Sequence, residues 1–148
     1  IPFAIIIYGT FWLANSELDL SKSKEVIEEL GLSSPARFLI FASAMSLGNS
    51  LMEEYVWRWF VFSKFKTLVS VWPAIALSAF FFTVHHVVIV WNSGSLWLVF
   101  IASVGLFSGG IIWAWLYNKY NSIWPGWICH LAADTAIMWI TWEIIRGA

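Results

Sequence analysis

The sequence predicts an all-α protein, a multi-pass transmembrane helical bundle. Three observations carry that expectation. Of the 148 residues, 60% are hydrophobic and 11% are charged, against about 25% charged in an ordinary soluble domain. The mean hydropathy is +0.76. Apolar runs recur along the chain between short polar stretches, and a helical span needs about 20 mostly apolar residues. A soluble domain of this size has no interior that could hide so much apolar surface. The expected surroundings are therefore a lipid bilayer, and the expected place is an integral, multi-pass one, the cell membrane if the source is prokaryotic. The net charge of −1 offers no basic patch, so nucleic acid is not an expected partner. One cysteine, Cys129, excludes an internal disulfide.

Taken in order, residues 1–14 are apolar but too short for a full span, and are read as a partial one. Because residue 1 is Ile inside that run, the chain is expected to be the core of a longer protein. Residues 15–34 hold much of the charge. There Leu20, Val26, Ile27 and Leu30 can form one stripe of a short interfacial helix, stopped at Gly31. Pro35 opens the next segment, a span over about 36–62, followed by "SKFK" (63–66) read as a polar turn. The third segment covers about 68–91 and the fourth about 96–117, with "NSGS" (92–95) as the turn between them. Gly105, Ser108, Gly109 and Gly110 permit close helix packing in the fourth segment. "NKYNS" (118–122) is the next turn, and the fifth segment runs over about 123–145. The expectation is one domain over 1–148, with four full spans in a core at 36–145 and a partial first span. Tryptophans cluster near the segment ends, as interfacial anchors do.

Within these apolar segments a few polar side chains stand out, and each charge at membrane depth costs about 2.5–3.5 kcal/mol on insertion scales. The second segment carries "EEYVWR". Glu54 and Arg58 are four apart, share a helical face and can neutralise each other. Glu53 points about 100° away. It has no partner at that spacing, which makes it a candidate general base. The third segment carries Phe82, His85 and His86, and its adjacent histidines diverge by the same angle. The fifth carries His130 and Asp134 on one face, a spacing that suits a hydrogen-bonded pair, a metal site or donors aimed at a substrate. With a rise of about 1.5 Å per residue, Glu53 lies about 13 Å and His130 about 10 Å from one membrane face. His86 comes to about 18 Å if its helix enters near Ala74, just after Pro73. Only in that register do the buried polar groups meet.

These three stretches, taken together, resemble the signature of the CPBP family. These are the CAAX-prenyl-endopeptidase and bacteriocin-processing intramembrane proteases, also called the abortive-infection family. Its EExxxR, FxxxH and HxxxN or HxxxD motifs read here as Glu53-Glu54 to Arg58, Phe82 to His86, and His130 to Asp134. "LSAFFFTVHH" is similar to the family's longer motif and selects His86 over His85. "GIIWAWLYNKYNSIWPGWICH" resembles its glycine-rich helix and the approach to the last histidine. The resemblance covers about residues 36–142. It implies that Glu53, helped by His86, activates a water. It implies that His130 and Asp134 stabilise the oxyanion, and that Glu54 and Arg58 support the site beside Phe82 and His85. Asp134 stands where eukaryotic relatives have Asn, so it would act protonated or by orienting His130. The implied substrate is a peptide or protein, with a prenylated C-terminus and a bacteriocin-like precursor as the two candidates.

Other readings stay open on the sequence. Glu53, His86 and His130 could supply three ligands to zinc, with a fourth position for water. A non-catalytic scaffold or immunity protein could keep the motifs for packing. A transporter fragment could use the acids and histidines as a proton relay.

Overall fold

The computed structural model describes residues 21–91 and 96–147, together with Ile7 and Gly9. All regular structure among the described residues is helical. In chain order the elements are α1 (Ser21–Glu29), α2 (Pro35–Ser43), a wide-turned segment π1 (Ala44–Asn49), α3 (Ser50–Glu54), and a second such segment, π2 (Tyr55–Phe62). They continue as α4 (Ser63–Leu68), α5 (Val71–Val90), α6 (Leu96–Tyr120) and α7 (Trp124–Arg146). Among the described residues, three helices are long and apolar enough to cross a membrane, over Val71–Val88, Val99–Tyr120 and Trp124–Arg146. The partial span expected over 1–14 lies outside the described residues, apart from Ile7 and Gly9, and so does the turn expected at 92–95.

Two boundaries differ from the sequence reading. The "SKFK" stretch is helical, and helical structure continues without a break from Pro35 to Leu68. Nothing in it breaks a helix, and its lysines set their ammonium groups over aromatic rings: Lys64 Nζ is 5.9 Å from the Phe60 ring and Lys66 Nζ 5.6 Å from Phe62. The chain turns instead at Val69, in extended conformation. The "NKYNS" turn likewise starts late. α6 runs on to Tyr120, and Asn121 takes the left-handed conformation (φ 49°), which Asn tolerates better than most residues. α5 begins at Val71, inside the third segment expected over about 68–91; Val71, Trp72 and Pro73 are exposed and burial starts with Ala74 and Ile75. At the end of α1, Gly31 adopts φ +66°, the left-handed stop that glycine provides.

The chain divides into two compact units, Ile1–Ser50 with Leu131–Ala148, and Leu51–His130. In the first, Phe38 packs on Trp142 with ring centroids 5.0 Å apart. A mainly apolar groove of about 550 Å³ is lined there by Phe38, Leu39, Leu47, Met138, Trp139 and Trp142.

In the second unit, Phe62, Ala74, Ile75 and Ala114 form the core, with Phe65, Ile111 and Tyr117 against it. α5 and α6 approach closely at Gly110, where an added Cβ would lie 3.0 Å from the Ala79 backbone. Of the four small residues on α6, Gly110 makes this approach and Gly109 leaves room for the Trp113 ring, whereas Gly105 faces open space and Ser108 is exposed. The outer faces of α5 and α6 expose Phe80, Val84, Val88, Phe100, Val104 and Ile112. Such a surface suits lipid rather than water.

Candidate active site

The second unit gathers the polar residues of all three motifs except Asp134. Glu53 and Glu54 end α3, Arg58 lies one turn on in π2, Phe82 and His86 come from α5, and His130 from α7. Wide-turned segments flank the two acids, and such irregularities occur often at functional sites. Ser78 on α5 donates its hydroxyl to the Trp57 carbonyl (3.0 Å), which ties π2 to α5.

Glu54 and Arg58 are both fully buried, with Nη2 3.3 Å from Oε1. Above the guanidinium lie the Phe82 ring, 4.8 Å from centroid to Cζ, and the Trp113 ring at 5.4 Å. Two aromatic faces thus share in covering a charge that has left water. Nε and Nη1 of Arg58 have no hydrogen-bond partner among the described residues. Glu54 Oε1 also accepts from His130 Nδ1 at 3.1 Å.

Glu53 lies between two imidazoles. His86 Nε2 is 3.5 Å from Oε1, and His130 Nε2 is 3.5 Å from Oε2. His86 donates Nδ1–H to the Phe82 carbonyl one turn back, at 3.0 Å. With that bond made, Nε2 is the accepting nitrogen whenever the ring is neutral. His85 is exposed and rests its ring on Trp57, centroids 5.8 Å apart. Asp134 is one turn beyond His130 on α7, half-buried, and belongs to the first unit. Among the described residues, no group of three His, Cys, Asp or Glu side chains is arranged to hold a metal ion.

Two residues that the sequence reading passed over shape this cluster. Trp113 is buried and stacks flat on His130, with centroids 4.0 Å apart and planes 11° from parallel. It is not an interfacial anchor, and its sequence neighbours Ile112 and Trp115 are exposed. Gly126, in the first turn of α7, lets Glu54 lie against the backbone: a Cβ there would meet Oε2 at 2.5 Å. A glycine directly after Pro125 in an early helical turn was the available signal for such an approach.

Residues 35–136 match the family described as type II CAAX prenyl endopeptidase Rce1-like. The chain belongs to that family. The match includes all three motifs, Glu53 to Arg58, Phe82 to His86 and His130 to Asp134, and it bears out the resemblance drawn from them. No curated protein and no solved structure matches the chain. The family is one of CAAX-type intramembrane proteases, and with three helices able to span a bilayer the chain is an integral membrane protein.

Proposed function

We propose that the chain is an intramembrane endopeptidase that hydrolyses a peptide bond with a water activated by Glu53 and His86. The observation that carries this reading is the position of Glu53, 3.5 Å from an imidazole nitrogen on either side. With Nδ1–H given to the Phe82 carbonyl, His86 offers Nε2 as an acceptor towards Glu53 Oε1. In this tautomer neither group donates to the other, and a water can give one hydrogen to each. Its lone pair is then turned towards a scissile carbonyl. Attack forms the C–O bond as Glu53 takes the proton, and the carbonyl oxygen becomes the oxyanion of a tetrahedral intermediate. Collapse breaks the C–N bond, and the proton held by Glu53 passes to the leaving amine.

His130 already gives Nδ1–H to Glu54. To donate from Nε2 as well, the ring must be the imidazolium, which then offers the oxyanion a charged donor. Asp134 enters through the motif alone, as a protonated acid donating to the same oxygen. Glu54, Arg58 and Phe82 hold the acids and rings in place, and His85 stands outside the chemistry. The continuous helical run over 35–68 serves as a further span beside the three long helices, which makes four full spans. The substrate class is a CAAX-type prenylated C-terminus, with a bacteriocin-like peptide precursor as the other candidate.

Zinc on Glu53, His86 and His130 is the second reading, and the chemistry of those side chains alone favours it. The decisive assay offers purified protein a farnesylated CAAX peptide, its unprenylated counterpart and a leader-peptide precursor, with and without chelator. The expected result is one defined cut, favoured by the farnesyl group and indifferent to the chelator, with turnover kept in Asp134→Asn. Activity lost to chelator and restored by zinc would replace the water mechanism with the metal one. No cut in any peptide would favour a scaffold or immunity role.

A further inference from the structure

We propose that Trp113 is a positioning residue for the hydrolytic site, holding the His130 imidazole in the plane that lets its two nitrogens address Glu53 and Glu54 together. This rests on the reading of His130 as part of that site. The geometry is specific to one ring orientation. Nδ1 meets Glu54 Oε1 at 3.1 Å while Nε2 faces Glu53 Oε2 at 3.5 Å. A half-turn of the ring about its Cβ–Cγ bond would put carbon where each nitrogen now lies and would lose both contacts. A smaller rotation would tilt both nitrogens out of the plane of the acids.

Trp113 opposes such rotation. Its indole covers one face of the imidazole, with centroids 4.0 Å apart and planes 11° from parallel, the flat contact of two stacked rings. Phe82 stands edge-on to the same imidazole, with centroids 6.0 Å apart. His130 is therefore bracketed by a face from α6 and an edge from α5. The same indole lies 5.4 Å from the Arg58 guanidinium, so the residue that orients the imidazole also borders the cation that neutralises Glu54. Trp113 in turn lies over Gly109 of its own helix, where a side chain would crowd it: a Cβ on Gly109 would lie 3.1 Å from the indole. Small misplacements matter here, since about 1 Å at a reacting group can cost about a hundredfold in rate.

The test compares Trp113→Phe, which keeps an aromatic face, with Trp113→Leu, which keeps apolar bulk without one. Histidine ring nitrogens are labelled with nitrogen-15 in the full chain, and the three histidines are assigned with single-site variants. The long-range proton–nitrogen correlations then show which nitrogen of His130 carries hydrogen. Cleavage of the farnesylated CAAX peptide is measured on the same samples. The expected result is a wild-type His130 pattern in Trp113→Phe and a changed or averaged one in Trp113→Leu. Trp113→Leu should also lose about tenfold or more in kcat with KM unchanged. If the leucine variant does not fold, Gly109→Val, which presses on the indole without removing it, is read by the same two measures. A wild-type His130 pattern and kcat in the folded leucine or Gly109→Val variant overturns the proposal. Absence of cleavage by the wild-type protein would instead count against the protease reading, and the nitrogen-15 pattern would still judge the role of Trp113.

Discussion

At the scale of single residues, the site rests on how one helix turn distributes two acids. Glu54 faces Arg58 and is fully buried with it, the guanidinium lying under the Phe82 ring, whereas Glu53 opens towards His86. Removing one partner of a buried ion pair leaves an uncompensated charge and costs about 3–5 kcal/mol. Glu54→Ala and Arg58→Ala should each lower monodisperse yield in detergent, and the double variant should recover part of it. Equal yields for the single and double variants would show that the pair does not act as a unit. The adjacent histidines make a second comparison. His86→Ala should abolish cleavage, while His85→Ala, whose ring lies on Trp57, should stay within about threefold of wild type, as exposed substitutions usually do. The reverse pattern would assign the wrong histidine. The Glu54–Arg58 pairing could be read from a spacing of four. The bond from His130 to Glu54 could not, because its partners are 76 residues apart and no local period connects them.

At the scale of elements, glycines decide how close the helices come. Gly126 in the first turn of α7 leaves space for the Glu54 carboxylate, whose other oxygen is already held by Arg58 and His130. In Gly126→Ala the new methyl must displace that carboxylate. Turnover is expected to fall by about tenfold or more, with a smaller loss of folded yield, measured side by side with wild type. Unchanged turnover would mean that Glu54 can move at no functional cost. Helix identity was legible from apolar length, because spans are set by bilayer thickness. Helix ends were less so. Ser63 to Lys66 reads as polar and therefore as a turn, but lysines tolerate a helix when their ammonium groups can rest over rings such as Phe60 and Phe62. π2, directly after the acids, had no sequence signal, since its register follows from packing against α5 through contacts such as Ser78 to Trp57. Trp113 was hidden for a related reason. Among 12 tryptophans, composition favours anchors at the interface, and only the close approach of α6 to the site separates this one from the rest.

At the scale of the whole molecule, composition alone placed the chain in a bilayer, and three motifs in order gave its family. Four spans are expected once the helical run over 35–68 is counted with the three long helices. Single cysteines introduced into a Cys129→Ala background should label at 64 and 121 from one side of sealed vesicles, and at 92–95 from the other, with a membrane-impermeant thiol reagent. Labelling of 64 and 92–95 from one side would remove α5 as a span. The central claim is that Glu53 activates water for peptide hydrolysis, and it is tested most directly by mass spectrometry of a membrane-peptide library incubated with purified wild-type protein and Glu53→Gln. Glutamine keeps the shape and hydrogen bonding of Glu53 but cannot take the proton. Wild type should yield paired fragments whose masses sum to the parent plus one water, and folded Glu53→Gln should yield none. Equal fragment yields from the two proteins would contradict the claim.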